Sequence, residues 1–172
     1  ADDLVILCRE KHEAEKALQM VKEWVDATGL ELHPDKTHIG DSRMPGEGFE
    51  FLGYRFESGR RWVRKSSIKA LRNKVRQKTK RSCGKSIKEV TRSLNYTLRG
   101  WFEYFKHADK NTFPGLDSFV RRRMRSILRK QNKKDRGTGR CFEDHKRWPN
   151  KFFAGLGLFT MKEAWELACQ SR

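Results

Sequence analysis

The stretch Ile87-Lys88-Glu89-Val90-Thr91-Arg92-Ser93-Leu94-Asn95-Tyr96-Thr97-Leu98-Arg99-Gly100-Trp101-Phe102-Glu103-Tyr104-Phe105 decides how most of this chain folds. At about 100° per residue, with Lys88 at zero, Ile87, Val90, Leu94, Leu98, Trp101 and Phe105 fall between about 200 and 280°. Lys85, Lys88, Arg92, Arg99 and Lys106 fall between about 0 and 60° by the same rule. The apolar and basic stripes therefore lie on nearly opposite faces of one helix, predicted over 86–107. One face packs, and the other meets solvent or phosphate.

The design repeats on both sides. Over 66–81, Ile68, Leu71 and Val75 form a packing stripe, while Lys65, Lys69, Arg72, Arg76 and Lys80 step along another face. Over 115–131, Leu116, Phe119, Val120, Met124, Ile127 and Leu128 pack, which leaves Arg121, Arg122, Arg125 and Arg129 outside. Like charges at i,i+4 repel and cost stability, so three such helices call for an anion to offset them. Charge along the chain agrees. Residues 65–172 hold 29 Lys/Arg against 9 Asp/Glu, a net of +20, whereas residues 1–64 hold 10 against 13, a net of −3. Between Lys65 and Lys88 there are ten bases and no acid. A merely solvated surface would intersperse the two signs. This asymmetry points to two functional units, the second built for a polyanion, most naturally RNA.

Upstream, Leu4-Val5-Ile6-Leu7-Cys8 reads as a short buried strand. Ala14, Ala17, Leu18, Val21, Trp24, Val25 and Thr28 recur at helical spacing before a Gly29 cap. Leu30 and Leu32 lead through a further short strand into the turn His33-Pro34-Asp35-Lys36. Phe49 to Phe56 and Arg61 to Arg64 read as a hairpin around Ser58-Gly59. The fold class is thus an α+β region of strand, helix, strand and hairpin over 1–64, followed by a mostly α-helical domain over 65–172. Downstream, 132–148 is a polar connector containing Arg136-Gly137-Thr138-Gly139-Arg140. The aromatic segment from Trp148 to Phe159 and a helix from Met161 to Cys169 fold back on the bundle.

Composition excludes several classes. No run approaches 18 consecutive apolar residues and no signal-peptide pattern opens the chain, so the expectation is an intracellular protein with no membrane partner. The four cysteines, Cys8, Cys83, Cys141 and Cys169, include no Cys-x-x-Cys pair. Cys141 and His145 lack a second ligand pair at matching spacing, so no zinc is expected. Asp2-Asp3, ahead of an apolar run, is the paired-carboxylate site of interest. Neighbouring strand residues point to opposite faces, so both acids share a site only at a turn, where they can hold Mg²⁺ for phosphoryl transfer. A dipeptide alone is too short to specify such a site. Lys36, in its turn, can contact phosphate or protonate a leaving group, though an isolated turn lysine ordinarily does neither.

Order and spacing add a resemblance. Ala1-Asp2-Asp3-Leu4-Val5-Ile6-Leu7 resembles the end of the Tyr-Ala-Asp-Asp motif of reverse transcriptases. Gly29-Leu30-Glu31-Leu32-His33-Pro34-Asp35-Lys36-Thr37 looks like the palm segment that follows, and Gly48-Phe49-Glu50-Phe51-Leu52-Gly53-Tyr54 is similar to the primer-grip hairpin. Leu98-Arg99-Gly100-Trp101-Phe102-Glu103-Tyr104-Phe105, then Leu116-Asp117 and Val120-Arg121-Arg122-Arg123-Met124-Arg125, resembles the maturase-specific domain of group II introns, which serves also as the polymerase thumb. Four motifs stand in the family's order, so the chain resembles the C-terminal part of a bacterial group II intron reverse transcriptase/maturase.

The resemblance implies roles. Asp2 is a principal Mg²⁺ ligand of a two-metal site, Asp3 its neighbour, and Lys36 lies near the incoming nucleotide. Phe51, Leu52, Gly53 and Tyr54 hold the primer end. Lys69, Arg72, Arg76, Lys88, Arg92, Arg99, Arg121, Arg122, Arg125 and Arg129 grip nucleic acid. The partners are group II intron RNA, an RNA–DNA template–primer duplex and target DNA; the oligomeric state is left open. The family's third metal-binding Asp, nucleotide pocket and fingers belong upstream of Ala1, and His145 near Asn150 lacks the cysteine pairs of an HNH nuclease. Two rival readings stay open: a stand-alone RNA-binding splicing cofactor with Asp2-Asp3 idle, and a related reverse transcriptase serving CRISPR or DNA repair.

Overall fold

The carboxylate of Glu13 accepts the backbone N–H groups of Arg9 (3.0 Å) and Glu10 (3.2 Å) and so opens the first helix, α1, over Lys11–Thr28. Gly29 closes it at φ 71°, a left-handed position where a side chain costs energy. The chain is seen here in a computed structural model that describes residues 4–82, 84–132 and 141–170. It forms two compact units, Ala1–Arg60 and Arg61–Arg172.

In the first unit, the expected strand at Leu4 to Cys8 is absent. These residues are irregular, and Leu4 and Leu7 are 69% and 79% exposed. An apolar run becomes a strand only when a neighbour takes its backbone N–H and C=O groups, and no described strand pairs with this one. The strand expected around Leu30 and Leu32 is also missing, though the turn after it forms, with the Lys36 and Thr37 N–H groups both donating to the His33 carbonyl.

The hairpin region holds three strands rather than two: β1 (Phe49–Phe51), β2 (Tyr54–Glu57) and β3 (Arg60–Val63), in the order β1-β2-β3. Phe49 pairs with Phe56 and Phe51 with Tyr54, antiparallel. The stretch from Phe49 to Phe56 breaks because Leu52 (φ 48°) and Gly53 (φ 79°) both turn left-handed, as a two-residue hairpin turn requires. Ser58 (φ 50°) and Gly59 (φ 70°) do the same between β2 and β3. The stacked rings of Phe49 and Phe56, 5.0 Å apart, hold the register.

The second unit is helical: α2 (Lys65–Lys78), α3 (Ile87–Phe105), α4 (Thr112–Gln131), α5 (Phe142–Arg147), α6 (Asn150–Gly155) and α7 (Met161–Gln170). Helix α3 starts at a capping box in which Ser86 and Glu89 exchange hydrogen bonds. Of its expected apolar stripe, Val90, Leu94, Leu98 and Phe105 are buried while Ile87 and Trp101 are half-buried; Phe102, outside that stripe, joins the core with Leu71 and Val75 of α2 and Val120, Met124 and Ile127 of α4. The polar connector contains a short helix, α5, that the lack of periodicity in the sequence concealed. Residues 133–140, including the glycine-containing stretch, lie outside the described residues.

The C-terminal segment does return to the bundle. Trp148, Phe153, Leu158 and Met161 are buried. Asn95 on α3 donates to the Gly157 carbonyl (2.7 Å) and accepts from the Phe159 N–H (2.8 Å), pinning that segment in place. Asp117 on α4 accepts the N–H groups of Met161 and Lys162, both at 3.0 Å, and so caps α7.

Candidate nucleic-acid interface

Helices α2 and α4 flank an open cleft of about 340 Å³ lined by Arg72, Arg76, Gly115, Ser118, Phe119 and Arg122. The guanidiniums of Arg72, Arg76 and Arg122 stand 5.7, 5.5 and 5.3 Å from the centre of the Phe119 ring. Each gains from the electron-rich face of the ring. Their mutual repulsion remains, and no carboxylate is among the described residues that line the cleft. An anion seated there would relieve it. Guanidinium forks match phosphate oxygens in a way that a lysine cannot.

The spacing of α4 makes Phe119 a packing residue. It is instead half-buried at the floor of this cleft. The available signal was its position three residues before Arg122, which places both on neighbouring turns of one face.

Arg123 carries no distinguishing signal in the sequence. It supports the cleft from behind by donating to the Thr79 hydroxyl (3.0 Å) and carbonyl (2.7 Å) at the end of α2. Burial, then the nearby Arg76 and Arg81, lower its pKa.

The outer face expected for α4 needs correction. Arg125 is 2% exposed. Its guanidinium donates to the Trp148 carbonyl (2.9 Å) and the Asn150 side chain (3.1 Å) and lies 5.1 Å from the Phe153 ring centre. Burial pushes its pKa down. Arg129 is likewise engaged, 2.7 Å from the buried Asp144 carboxylate, which pushes its pKa up. Both face elements that fold over α4 from the C-terminal side, which the periodicity of α4 alone could not reveal. Arg121 is half-buried beside Asp117.

On α3, Lys88, Arg92 and Arg99 are exposed, as is Lys69 on α2. Arg99 lies over the Phe159 ring at 4.8 Å, a contact that orients it without burying it. The cleft thus brings together Arg72, Arg76 and Arg122, and leaves the α3 stripe as a separate basic surface.

In the first unit, Phe51, Leu52, Gly53 and Tyr54 form the tip of the β1–β2 hairpin, with Leu52 61% exposed. The hairpin is braced by Glu57, which accepts from Arg55 (2.8 Å) and from the Gly46 N–H (2.8 Å). Those donors hold the Glu57 carboxyl at about 2, below the ordinary range. Lys36 is exposed on its turn.

Asp2 and Asp3 lie outside the described residues. Among the described residues, no group of three or more His, Cys, Asp or Glu side chains converges on a metal site. A metal reading therefore rests on the hard carboxylate oxygens of Asp2 and Asp3, which suit a hard divalent cation. No described helix is long and apolar enough to cross a membrane.

Comparison with known families gives two matches in chain order. Residues 1–56 match the reverse transcriptase (RNA-dependent DNA polymerase) family, and residues 68–150 match the maturase-specific domain of group II introns. No curated protein matches the chain. The second match contains every residue of the arginine cleft.

Proposed function

Because the chain belongs to the group II intron reverse transcriptase/maturase family, we propose that its helical unit grips intron RNA and template–primer duplex while residues 1–64 carry the end of a polymerase palm. The observation that carries this reading is the cleft in which three guanidiniums surround Phe119. That arrangement suits a phosphate backbone read by charge and fork geometry, with no base contact required. The exposed bases of α3 extend the grip along a second face, and target DNA falls within the same chemistry.

For the polymerase half, Asp2 and Asp3 would hold a divalent cation, Mg²⁺ in this reading, which supplies Lewis acidity at the transferred phosphoryl group. The hairpin tip from Phe51 to Tyr54 positions the primer end, and Lys36 contacts the phosphates of the incoming nucleotide. Two carboxylates do not complete a two-metal site. The 172-residue chain alone is therefore expected not to incorporate nucleotides in a primer-extension assay with Mg²⁺, and incorporation above a buffer control would show the catalytic residues to be misplaced. In a polymerase-competent protein carrying this sequence, Asp2→Ala should abolish DNA synthesis and leave RNA binding unchanged. Equal loss of both would show that Asp2 serves structure rather than catalysis.

The cleft is tested by titrating the chain with RNA at several salt concentrations. If roughly six phosphates are neutralised, log K falls against log salt with a slope of order −4 to −5. The double variant Arg72→Glu/Arg122→Glu should weaken binding by about tenfold or more and flatten the slope by about two units. Unchanged affinity in a folded variant would remove the cleft from the interface.

A further inference from the structure

Helix α3 has a glycine five residues before its last residue, and nothing in the packing accounts for it. A glycine inside a helix costs roughly 0.5–1 kcal/mol relative to alanine. Such a cost is ordinarily offset where another element approaches too closely to admit a Cβ. At Gly100 a Cβ would meet no atom within 4 Å. The missing side chain instead opens a groove of about 500 Å³ between α2 and α3.

The groove has its own chemistry. Tyr96 and Tyr104 stand one turn before and one turn after Gly100 on the same face, about 12 Å apart along the axis at 1.5 Å per residue. Both are exposed, at 76% and 55%. Trp101 is half-buried against Phe105, with ring centres 4.7 Å apart, and forms part of the wall. Thr97 adds a hydroxyl, Lys74 adds a cation from α2, and no carboxylate is among the described residues that line the groove. Flat rings around a gap, edged by a cation and a hydroxyl, suit a flat partner attached to an anionic chain.

We propose that this groove is a second nucleic-acid site, which takes unstacked bases of single-stranded RNA between Tyr96 and Tyr104, with Gly100 keeping its floor open. The charge of the surrounding unit favours this occupant over a protein. Residues 61–172 carry 31 Lys/Arg against 9 Asp/Glu, a net of +22. Base stacking on aromatic rings is sequence-tolerant, so this site adds affinity for unpaired segments where the arginine cleft reads only backbone. The proposal rests on the reading of the helical unit as RNA-binding.

The test uses the full chain and three probes: a single-stranded RNA oligonucleotide, the same oligonucleotide with abasic residues, and its duplex. Gly100→Leu places a side chain in the groove from a position where a Cβ meets no atom within 4 Å, and Gly100→Ala serves as a control that should raise the melting temperature. Gly100→Leu and Tyr96→Ala are each expected to weaken single-strand binding by about tenfold. Duplex and abasic binding should stay within about twofold, and wild type should prefer the intact strand to the abasic one. Equal losses on duplex and single strand, or no preference over the abasic probe, would overturn the proposal while the cleft reading stands. So would a concentration-dependent dimer that Gly100→Leu abolishes, since the groove would then be a contact between copies of this chain. Failure of wild type to bind any of the three probes would overturn both readings together.

Discussion

The two units of this chain differ in what they bury more than in what they contain. Of the twenty buried hydrophobic residues among those described, nineteen lie in Arg61–Arg172 and only Val25 lies in Ala1–Arg60. The first unit instead exposes Leu4, Ile6, Leu7, Met20, Trp24 and Leu30. Helix α1 has the amphipathic spacing of a core helix and sound caps at both ends, yet Trp24 on its apolar stripe is 62% exposed. Periodicity therefore records which face a helix is built to bury; whether that face is buried depends on what else packs there. The helical unit supplies its own partners for the stripes of α2, α3 and α4. The first unit does not.

The strongest way to break this contrast is to separate the units. Residues 61–172 alone should melt cooperatively, and residues 1–60 alone should show no cooperative transition by circular dichroism or calorimetry. A sharp melt for 1–60 would mean that its exposed apolar residues find a core of their own. Within the full chain, Leu98→Ala should cost about 2–5 kcal/mol because it leaves a cavity beneath α3. Met20→Ala, at an exposed position, should stay within about ±0.5 kcal/mol. Denaturant titration distinguishes the two, and comparable losses would show that α1 is packed more tightly than its exposure implies.

A second contrast lies within the basic unit, between arginines that face outward and one that does not. Arg125→Ala should destabilise the fold by roughly 1.5–3 kcal/mol for each charged hydrogen bond lost, because the Trp148 carbonyl and the Asn150 side chain lose their donor. Arg92→Ala should leave stability within about ±0.5 kcal/mol and weaken RNA binding instead. A folded, fully stable Arg125→Ala chain with impaired RNA binding would move Arg125 back to the interface.

Much of this was legible in the sequence, and the failures have physical causes. The three large helices were fixed by stripes that repeat at 3.6 residues, and α2, α3 and α4 fall within a few residues of their expected ranges. The β1–β2 turn was missed because Leu52, unlike asparagine or glycine, gives no hint that it will adopt a positive φ. The strand at Leu4 to Cys8 was misread because an apolar run says nothing about whether a hydrogen-bonding neighbour exists. Arg72, Arg76 and Arg122 each stand out in the sequence as basic positions, but their convergence on Phe119 joins α2 to α4 across more than forty residues, and no local pattern encodes that. Arg125 was placed outside because α5 and α6, the elements that cover it, carry no recognisable periodicity of their own.

The smallest effect is the most discriminating, because one carboxylate in each unit should respond to acid in opposite directions. Glu57 in the first unit is held at about 2 by hydrogen bonds from Arg55 and the Gly46 N–H, against an ordinary value of 4.5. Its folded pKa is depressed, so its contribution is full above the ordinary carboxylate value and is lost as pH falls from about 4.5 toward 2. Asp117 in the helical unit is shifted up, because burial outweighs the two N–H groups it caps. A raised carboxylate pKa has the reverse sign. Its contribution is full below the unfolded value and declines as pH rises through the folded one. Acidification below about pH 4.5 should therefore loosen the β1–β2 hairpin while removing a burial cost at α7. Carbon-detected NMR titration of the two side-chain carboxyls reads both shifts directly. In Arg55→Gln the Glu57 midpoint should return toward its ordinary value while Asp117 stays where it was. A Glu57 midpoint unmoved by Arg55→Gln would show that the backbone of Gly46 and Gly48, rather than the guanidinium, sets that carboxyl and braces the hairpin.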